Sequence, residues 1–346
     1  MAASRRSLIA GLGAATLAGA LSGSAHAKKI VRACPVTGPF AAAADYSAER
    51  RGVSMLVMRD GKILLEDYPQ PGGPLEAWEL ASGTKSFTGI MAAAAQADGL
   101  LDIDEPASTS LNEWRRDPRK ARITIRNLLS LNSGLKGPGA IGQPPAYLEA
   151  LKAEARYEPG TKFEYGPVGF QVFGEIMRRK LRAAGLPQDP SVWLQARVFD
   201  RINVHPSGWR HGKDGNPFMP QGAQLTARDW ARFGQWVMDG GQGVDPHAFK
   251  ALFDPTAANP GYGLSWWLLR PGLIGPNPAA GIDGDAIGAV AKHEDIVMAA
   301  GAGDQRLYLL RERRLVVVRQ ANEIFRSMGP FAVKWRDEDF LKRILS

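Results

Sequence analysis

Residues 79–89 read Glu79-Leu80-Ala81-Ser82-Gly83-Thr84-Lys85-Ser86-Phe87-Thr88-Gly89, and they open an apolar segment that ends at Gly99. Apolar residues recur along this segment at helical spacing, which predicts a helix that starts at Ser82. A serine and a lysine three residues apart at a helix start face one another. The Lys85 amine can then take the Ser82 hydroxyl proton, while helix amides favour the developing negative charge. The stretch predicts a nucleophile with its own base.

The Ser-x-x-Lys pattern is short, and a second copy shows how easily it arises. Ser133-Gly134-Leu135-Lys136 has the same spacing but lies among glycine and proline residues that are typical of a loop. The tetrapeptide at Ser82 is, taken alone, more typical of an N-cap serine followed by a surface lysine. The functional reading therefore depends on the surrounding sequence.

Several segments follow in an order that resembles the penicillin-recognising serine hydrolases, and more specifically the class C β-lactamase branch with its esterases, D-amino acid peptidases and 6-aminohexanoate-oligomer hydrolases. The resemblance covers roughly residues 50–320. It is carried by the stretches Glu79–Gly89, Gly99-Leu100-Leu101-Asp102-Ile103-Asp104-Glu105-Pro106, Ile123–Leu135, Glu158-Pro159-Gly160-Thr161-Lys162-Phe163-Glu164-Tyr165, Leu225–Gly234 and Tyr262-Gly263-Leu264-Ser265-Trp266-Trp267. The resemblance implies that Ser82 is the nucleophile, Lys85 its base and Tyr165 the relay that passes a proton to the leaving group.

The two ends of the chain predict a sheet. Residues 53–58 and 62–66 flank an Asp-Gly turn, and residues 305–310 and 315–319 form a second hairpin pattern. A helix over 331–345 is expected to cover the sheet, together with a helix near the N-terminus. With the resemblance, this predicts an α+β fold of the β-lactamase/transpeptidase type. Its antiparallel sheet comes from both chain ends (about 45–80 and 260–346), with a mostly helical lobe (about 81–259) inserted between them.

The chain departs from its relatives at two positions. Where the family has Tyr-x-Asn, it has Tyr165-Gly166-Pro167, and a proline offers neither a carboxamide nor a backbone donor. The third family motif, Lys-Thr-Gly or His-Thr-Gly, corresponds to Ala299-Ala300-Gly301 or to Gly301-Ala302-Gly303, neither of which carries a cation. These departures disfavour amides, penicillins and D-Ala-D-Ala peptides.

Main-chain groups can still complete the site. The resemblance implies an oxyanion hole from the amide of Ser82 and that of a residue near Ala302, such as Gly301 or Ala302 itself. Asn132, in the loop before Gly134, is a further candidate for substrate binding. No cofactor or metal is expected, because the histidines lack the spacing of metal ligands.

Residues 1–27 read as an export signal of the twin-arginine type, with Arg5-Arg6, a small apolar stretch and Ala25-His26-Ala27 as the cleavage site. The domain would then span 28–346, in the periplasm or outside the cell, with no membrane span after cleavage. Formal net charge is +8, and no basic-aromatic stripe suggests nucleic acid. The oligomeric state is not readable from the sequence.

These observations predict a serine hydrolase that acts through an acyl-enzyme on small esters or amides. Two alternatives stay open. The compartment would suit a D-amino acid carboxypeptidase or β-lactamase, and Pro167 and Ala299 would suit a non-catalytic binding protein that keeps the fold.

Overall fold

The computed structural model describes residues 30–32, 34–139, 142–275, 282–324 and 333–346. Its α-helices are α1 (Ala41–Glu49), α2 (Lys85–Ala97), α3 (Ile125–Leu129), α4 (Tyr147–Ala150), α5 (Val168–Ala183), α6 (Pro190–Leu194), α7 (Ala227–Met238), α8 (Pro246–Ala251), α9 (Gly284–Val290) and α10 (Asp337–Leu345). Its strands are β1 (Gly52–Arg59), β2 (Lys62–Asp67), β3 (Trp78–Glu79), β4 (Leu135–Lys136), β5 (Glu154–Ala155), β6 (Gly208–Trp209), β7 (Ala223–Leu225), β8 (Trp267–Leu268), β9 (Ile296–Gly301), β10 (Gln305–Leu310) and β11 (Leu315–Ala321).

A six-stranded sheet in the order β2-β1-β11-β10-β9-β8 forms the centre of the molecule, and its neighbouring strands are antiparallel. The first and last strands of the chain lie side by side because β1 pairs with β11, with Val57 opposite Val317. Burial of β9, β10 and β11 is continuous along each strand, as expected for a sheet that is covered on both faces.

Helices cover both faces of this sheet. Helix α7 packs against β1, β10 and β11, and its Gly234 lies so close that an added Cβ would be 2.8 Å from Val316 Cγ1. Helices α1 and α10 pack together on the other face, where the rings of Tyr308 and Phe340 stack with centroids 5.7 Å apart. Helix α2 is buried along almost its whole length and forms the core of the helical part.

Both predicted hairpins are confirmed, at β1–β2 and at β10–β11. The predicted start of the last helix was wrong. Residues 333–336 are not helical, and α10 begins only at Asp337. The backbone of Arg336 is extended, which brings the side chains before and after it into contact. The Trp335 indole Nε1 donates to the buried Asp337 Oδ1 over 3.0 Å.

The α+β fold is as predicted from the sequence, with a sheet from both chain ends and helices on its two faces. The lobe limits at residues 80 and 260 stay a prediction. The proposed signal, residues 1–27, lies outside the described residues. In the part of the chain that the structure describes, no helix is both long enough and apolar enough to cross a membrane.

Candidate active site

The candidate nucleophile lies on a short turn between β3 and α2. Strand β3 pairs with β7, and the pairing continues to Leu80, whose amide donates to the Ala223 carbonyl over 2.9 Å. Ala81 then adopts φ +46°, a left-handed conformation that costs an alanine about 1 kcal/mol or more. Ala81 is also the first residue of the 3₁₀ turn Ala81–Thr84, which carries Ser82. Strain of this kind is frequent at functional sites.

Ser82 and Lys85 lie together as predicted, but their geometry comes from the 3₁₀ turn rather than from an α-helix. The helical stretch does start beside Ser82 as predicted, but its first turn is the 3₁₀ turn Ala81–Thr84, and α2 begins only at Lys85. Side chains three residues apart eclipse one another in a 3₁₀ turn. Accordingly Lys85 Nζ lies 3.0 Å from Ser82 Oγ, and Ser82 itself is partly exposed and open to a reactant.

The Lys85 amine is buried, with only 5% of the residue exposed. Its Nζ donates to the Pro220 carbonyl over 3.1 Å and lies 4.8 Å and 5.3 Å from the ring centroids of Tyr165 and Phe170. Burial lowers the pKa of Lys85 to about 7, since a charged ammonium is poorly solvated in these surroundings. A neutral amine that donates one hydrogen to Pro220 keeps its lone pair for the hydroxyl proton of Ser82.

Tyr165 lies beside this pair. Its ring stacks on that of Trp267, with centroids 5.6 Å apart and an interplanar angle of 25°. Burial raises the pKa of Tyr165 to about 12, which outweighs the lowering caused by its hydrogen bond with Ser82. Near neutral pH the Tyr165 hydroxyl therefore stays protonated, whereas the neutral form of the Lys85 amine is accessible. Of the two groups, Lys85 is the better candidate for a base, and Tyr165 is a hydroxyl that can donate a proton.

The loop of residues 131–134 holds the segment that carries Tyr165. The Leu131 carbonyl accepts the Glu164 amide over 2.8 Å, and the Asn132 carbonyl accepts the Gly160 amide over 2.7 Å. The side chain of Asn132 is buried and its Oδ1 accepts from Asn127 Nδ2 over 3.0 Å. These contacts give Asn132 a part in shaping the loop, and its role in substrate binding stays a prediction.

The end of β9 lies against the nucleophile turn. An added Cβ on Gly301 would be 2.0 Å from the Leu80 carbonyl oxygen and 3.1 Å from the Gly83 amide nitrogen, so only glycine fits. Ala299 and Ala300, which precede Gly301 on the same strand, are buried. Ala302 follows the strand and is partly exposed. Gly301 thus brings the β9 backbone close to Ser82, where main-chain amides can meet an oxyanion.

The sequence model described as Beta-lactamase matches residues 40–326. The chain belongs to this family. Among solved structures, the chain is similar in fold to EstCE1, "a hydrolase with promiscuous acyltransferase activity", with a TM-score of 0.67 and 15% identity over 88% of this chain and 96% of that one. It is also similar to the class C β-lactamase of Rhodobacter sphaeroides, with a TM-score of 0.65 and 16% identity over 90% of this chain and 100% of that one.

A curated relative matches a shorter part of the chain. Protein flp of Staphylococcus aureus (strain MW2) is 22% identical over 193 residues, which cover 50% of this chain and 38% of that protein. The chain thus matches well under half the length of such relatives. With the solved structures, this chain shares the serine hydrolase fold of the Beta-lactamase family.

Two contacts of the site were not foreseen from the sequence. The Pro220 carbonyl binds Lys85 from a loop 135 residues further along the chain, and no local pattern marks that proline as special. Trp267 is only 3% exposed, and its ring stacks on that of Tyr165. Within the described residues, no cluster of three or more His, Cys, Asp or Glu is suited to a metal ion.

Proposed function

We propose that this protein is a serine hydrolase that cleaves small uncharged esters through an acyl-enzyme. The observation that carries the proposal is the 3.0 Å separation between Ser82 Oγ and a buried amine, Lys85 Nζ, whose pKa is about 7. Such a pair supplies an activated nucleophile near neutral pH without a third residue.

In this mechanism Lys85 takes the Ser82 proton as Oγ attacks the ester carbonyl. The amides of Ser82 and of a residue at the end of β9, near Ala302, hold the oxyanion, and the close approach of Gly301 to Leu80 supports that assignment. Tyr165 then gives its hydroxyl proton to the leaving alkoxide and regains a proton from the Lys85 ammonium, which restores the neutral amine. In the second half, water gives a proton to Lys85 as it attacks the acyl group, and that proton returns to Ser82 Oγ as the acid leaves.

The substrate class follows from charge and leaving group. The first residue of the third motif, Ala299 or Gly301 depending on the alignment, is neutral where the family motif has a cation that helps hold a substrate carboxylate. This favours uncharged substrates over penicillins and D-Ala-D-Ala peptides. Pro167 supplies no carboxamide to a substrate amide, and an amide also needs a better proton donor for its leaving nitrogen than an ester does. Esters are therefore the favoured substrates.

The test is mass spectrometry after reaction with a fluorophosphonate probe. We expect one adduct, located on Ser82 and absent from Ser82→Ala. Unlabelled wild type and Ser82→Ala are then offered p-nitrophenyl butyrate, the matched anilide and a fluorescent penicillin. Faster turnover of the ester supports the proposal, and stable penicillin labelling favours the carboxypeptidase or β-lactamase alternative. A protein without an adduct on Ser82 would instead be the non-catalytic binding protein.

The pH dependence of labelling tests the base. Because burial lowers the pKa of Lys85 to about 7, the reactive neutral amine predominates above that pH and is lost below it. We expect the second-order rate constant to fall about tenfold per unit below pH 6 and to level off above pH 8. The measurement is labelling rate against pH with a probe that does not ionise. A midpoint near 10 would mean that Lys85 is solvated like an ordinary lysine.

The proposal also includes export. Residues 1–27 have the features of a twin-arginine signal, and a periplasmic or extracellular site would follow. Replacing both Arg5 and Arg6 with lysine should leave the full-length precursor in the cytoplasm, as judged by fractionation and N-terminal sequencing. Unchanged processing of that variant would rule out the twin-arginine route.

A further inference from the structure

Arg306, on β10, is a buried arginine that the mechanism above does not use. Only 1% of its side chain is exposed, and its partner Asp337, at the first turn of α10, is fully buried. Arg306 Nε and Nη2 donate to the two oxygens of Asp337 over 2.7 and 3.0 Å, which is a two-pronged ion pair. The third nitrogen, Nη1, donates to the carbonyls of Gly301 and Gln305, each over 3.1 Å.

The contact with Gly301 connects this ion pair to the candidate active site. Gly301 is the residue whose backbone lies against Leu80 and Gly83 in the nucleophile turn. The charge of Arg306 also acts on the site. Burial is the largest influence on the pKa of Tyr165 and raises it, the hydrogen bond with Ser82 lowers it, and the positive charge of Arg306 lowers it further. The chain of contacts runs from α10 through Asp337 and Arg306 to the end of β9.

Resting on the proposed serine hydrolase function, we propose that Arg306, oriented by Asp337, is a positioning residue that fixes the end of β9 against the Ser82 turn and so sets the oxyanion hole. Arg306 touches no reacting atom in this arrangement. It acts through the Gly301 carbonyl, which it holds in place while the neighbouring amides face the nucleophile.

The energetics of the ion pair support a positioning role. Removing two charges from water costs several kcal/mol per ion, and an apolar pair of similar volume often stabilises a fold as well or better. Asp337 is fully satisfied, since the Tyr308 hydroxyl and the Trp335 indole also donate to it. What an apolar pair cannot supply is a donor aimed at the Gly301 carbonyl.

The next carbonyls of the same turn are held in the same way. Arg319, on β11, is also fully buried, and its Nη1 donates to the Gly303 carbonyl over 3.3 Å and to the Asp304 carbonyl over 2.7 Å. Two buried arginines from neighbouring strands thus bind four carbonyls between residues 301 and 305. The backbone at Ala302, between them, is fixed from both sides.

The test compares Arg306→Lys with a matched control. Lysine keeps the positive charge for Asp337 but loses the fork that reaches Gly301 at the same time. Arg179→Lys is the control, because Arg179 also binds two carboxylates, Glu113 and Glu175, and one carbonyl, that of Ser110 over 3.0 Å, away from Ser82. Tyr308→Phe is a milder second variant that removes one donor to Asp337 and leaves Arg306 intact.

The readouts are the rate of fluorophosphonate labelling, kcat and KM with an ester, the pH midpoint of labelling and the melting temperature. We expect Arg306→Lys to lower the labelling rate and kcat by about 10- to 100-fold, as a small misplacement of oxyanion donors does. KM and the midpoint near pH 7 should stay unchanged, because Lys85 is untouched. Arg179→Lys should lose thermal stability but keep its labelling rate within about twofold, and Tyr308→Phe should fall between them.

Three results would overturn the inference. The first is a labelling rate of Arg306→Lys within about twofold of wild type. The second is an equal loss of labelling rate in Arg179→Lys when the two variants have the same melting temperature. The third is a shifted pH midpoint in Arg306→Lys, which would show that the whole site has loosened. If Arg306→Lys does not fold, Tyr308→Phe decides, and an unchanged labelling rate in that variant counts against the inference. A wild-type protein that is not labelled at Ser82 overturns the proposed function itself, which distinguishes the two failures.

Discussion

Replacing Lys85 with methionine should lower the rate of Ser82 acylation by about 10³- to 10⁴-fold. The amine is 3.0 Å from Ser82 Oγ, and burial lowers its pKa to about 7, whereas the other candidate base, Tyr165, has a pKa of about 12. Methionine has a similar length and suits a buried site, so the loss would report the missing base rather than a cavity. The measurement is the second-order rate of fluorophosphonate labelling.

A matched variant separates the proton from the charge. Arginine at position 85 stays protonated and can still donate to the Pro220 carbonyl, which methionine leaves unpaired at a cost of about 1–3 kcal/mol. If the neutral amine is the base, Lys85→Arg and Lys85→Met should be equally inactive although their melting temperatures differ. A labelling rate of Lys85→Met within tenfold of wild type would move the role of base to another group and contradict the mechanism.

The parts of the fold that the sequence predicts correctly are those that depend on local patterning. The Asp60-Gly61 turn between two apolar runs specifies the first hairpin. The glycine at position 99, with φ +69°, follows the end of the buried helix α2 as expected. The Ser82–Lys85 pair was also predictable, because a spacing of three brings the two side chains together in either a 3₁₀ turn or an α-helix.

What the sequence could not supply depends on contacts across long separations. The left-handed Ala81 is stabilised by the pairing of Leu80 with Ala223, so its strain is invisible locally. The ion pair of Arg306 with Asp337 joins residues 31 apart, so no local sequence pattern indicates it. A local signal did indicate where α10 begins. Its first turn carries three acidic residues, Asp337, Glu338 and Asp339, whose charges interact favourably with the helix dipole.

Replacing Tyr165 with phenylalanine should slow hydrolysis of alkyl esters by about 10²-fold or more and should affect p-nitrophenyl esters by less than about tenfold. The physical reason is the leaving group. An alkoxide must receive a proton as it departs, and the Tyr165 hydroxyl, neutral because its pKa is about 12 and hydrogen-bonded with Ser82, is placed to give it. A p-nitrophenolate leaves readily without a proton, so it bypasses that step. The measurement is kcat/KM for a series of acetate esters whose leaving alcohols differ in pKa.

Tyr262→Phe is the control for this series. Tyr262 packs against the same tryptophan as Tyr165, with its ring centroid 4.7 Å from that of Trp267. The Tyr262→Phe variant therefore also loses one phenolic hydroxyl from this aromatic cluster. We expect its dependence on leaving-group pKa to match wild type, whereas that of Tyr165→Phe should become steeper. If both variants lose activity equally for every ester, the cluster only supports the site. If Tyr165→Phe keeps the wild-type dependence at an unchanged rate, the proton must reach the leaving group from Lys85 directly, and Tyr165 has no part in the relay.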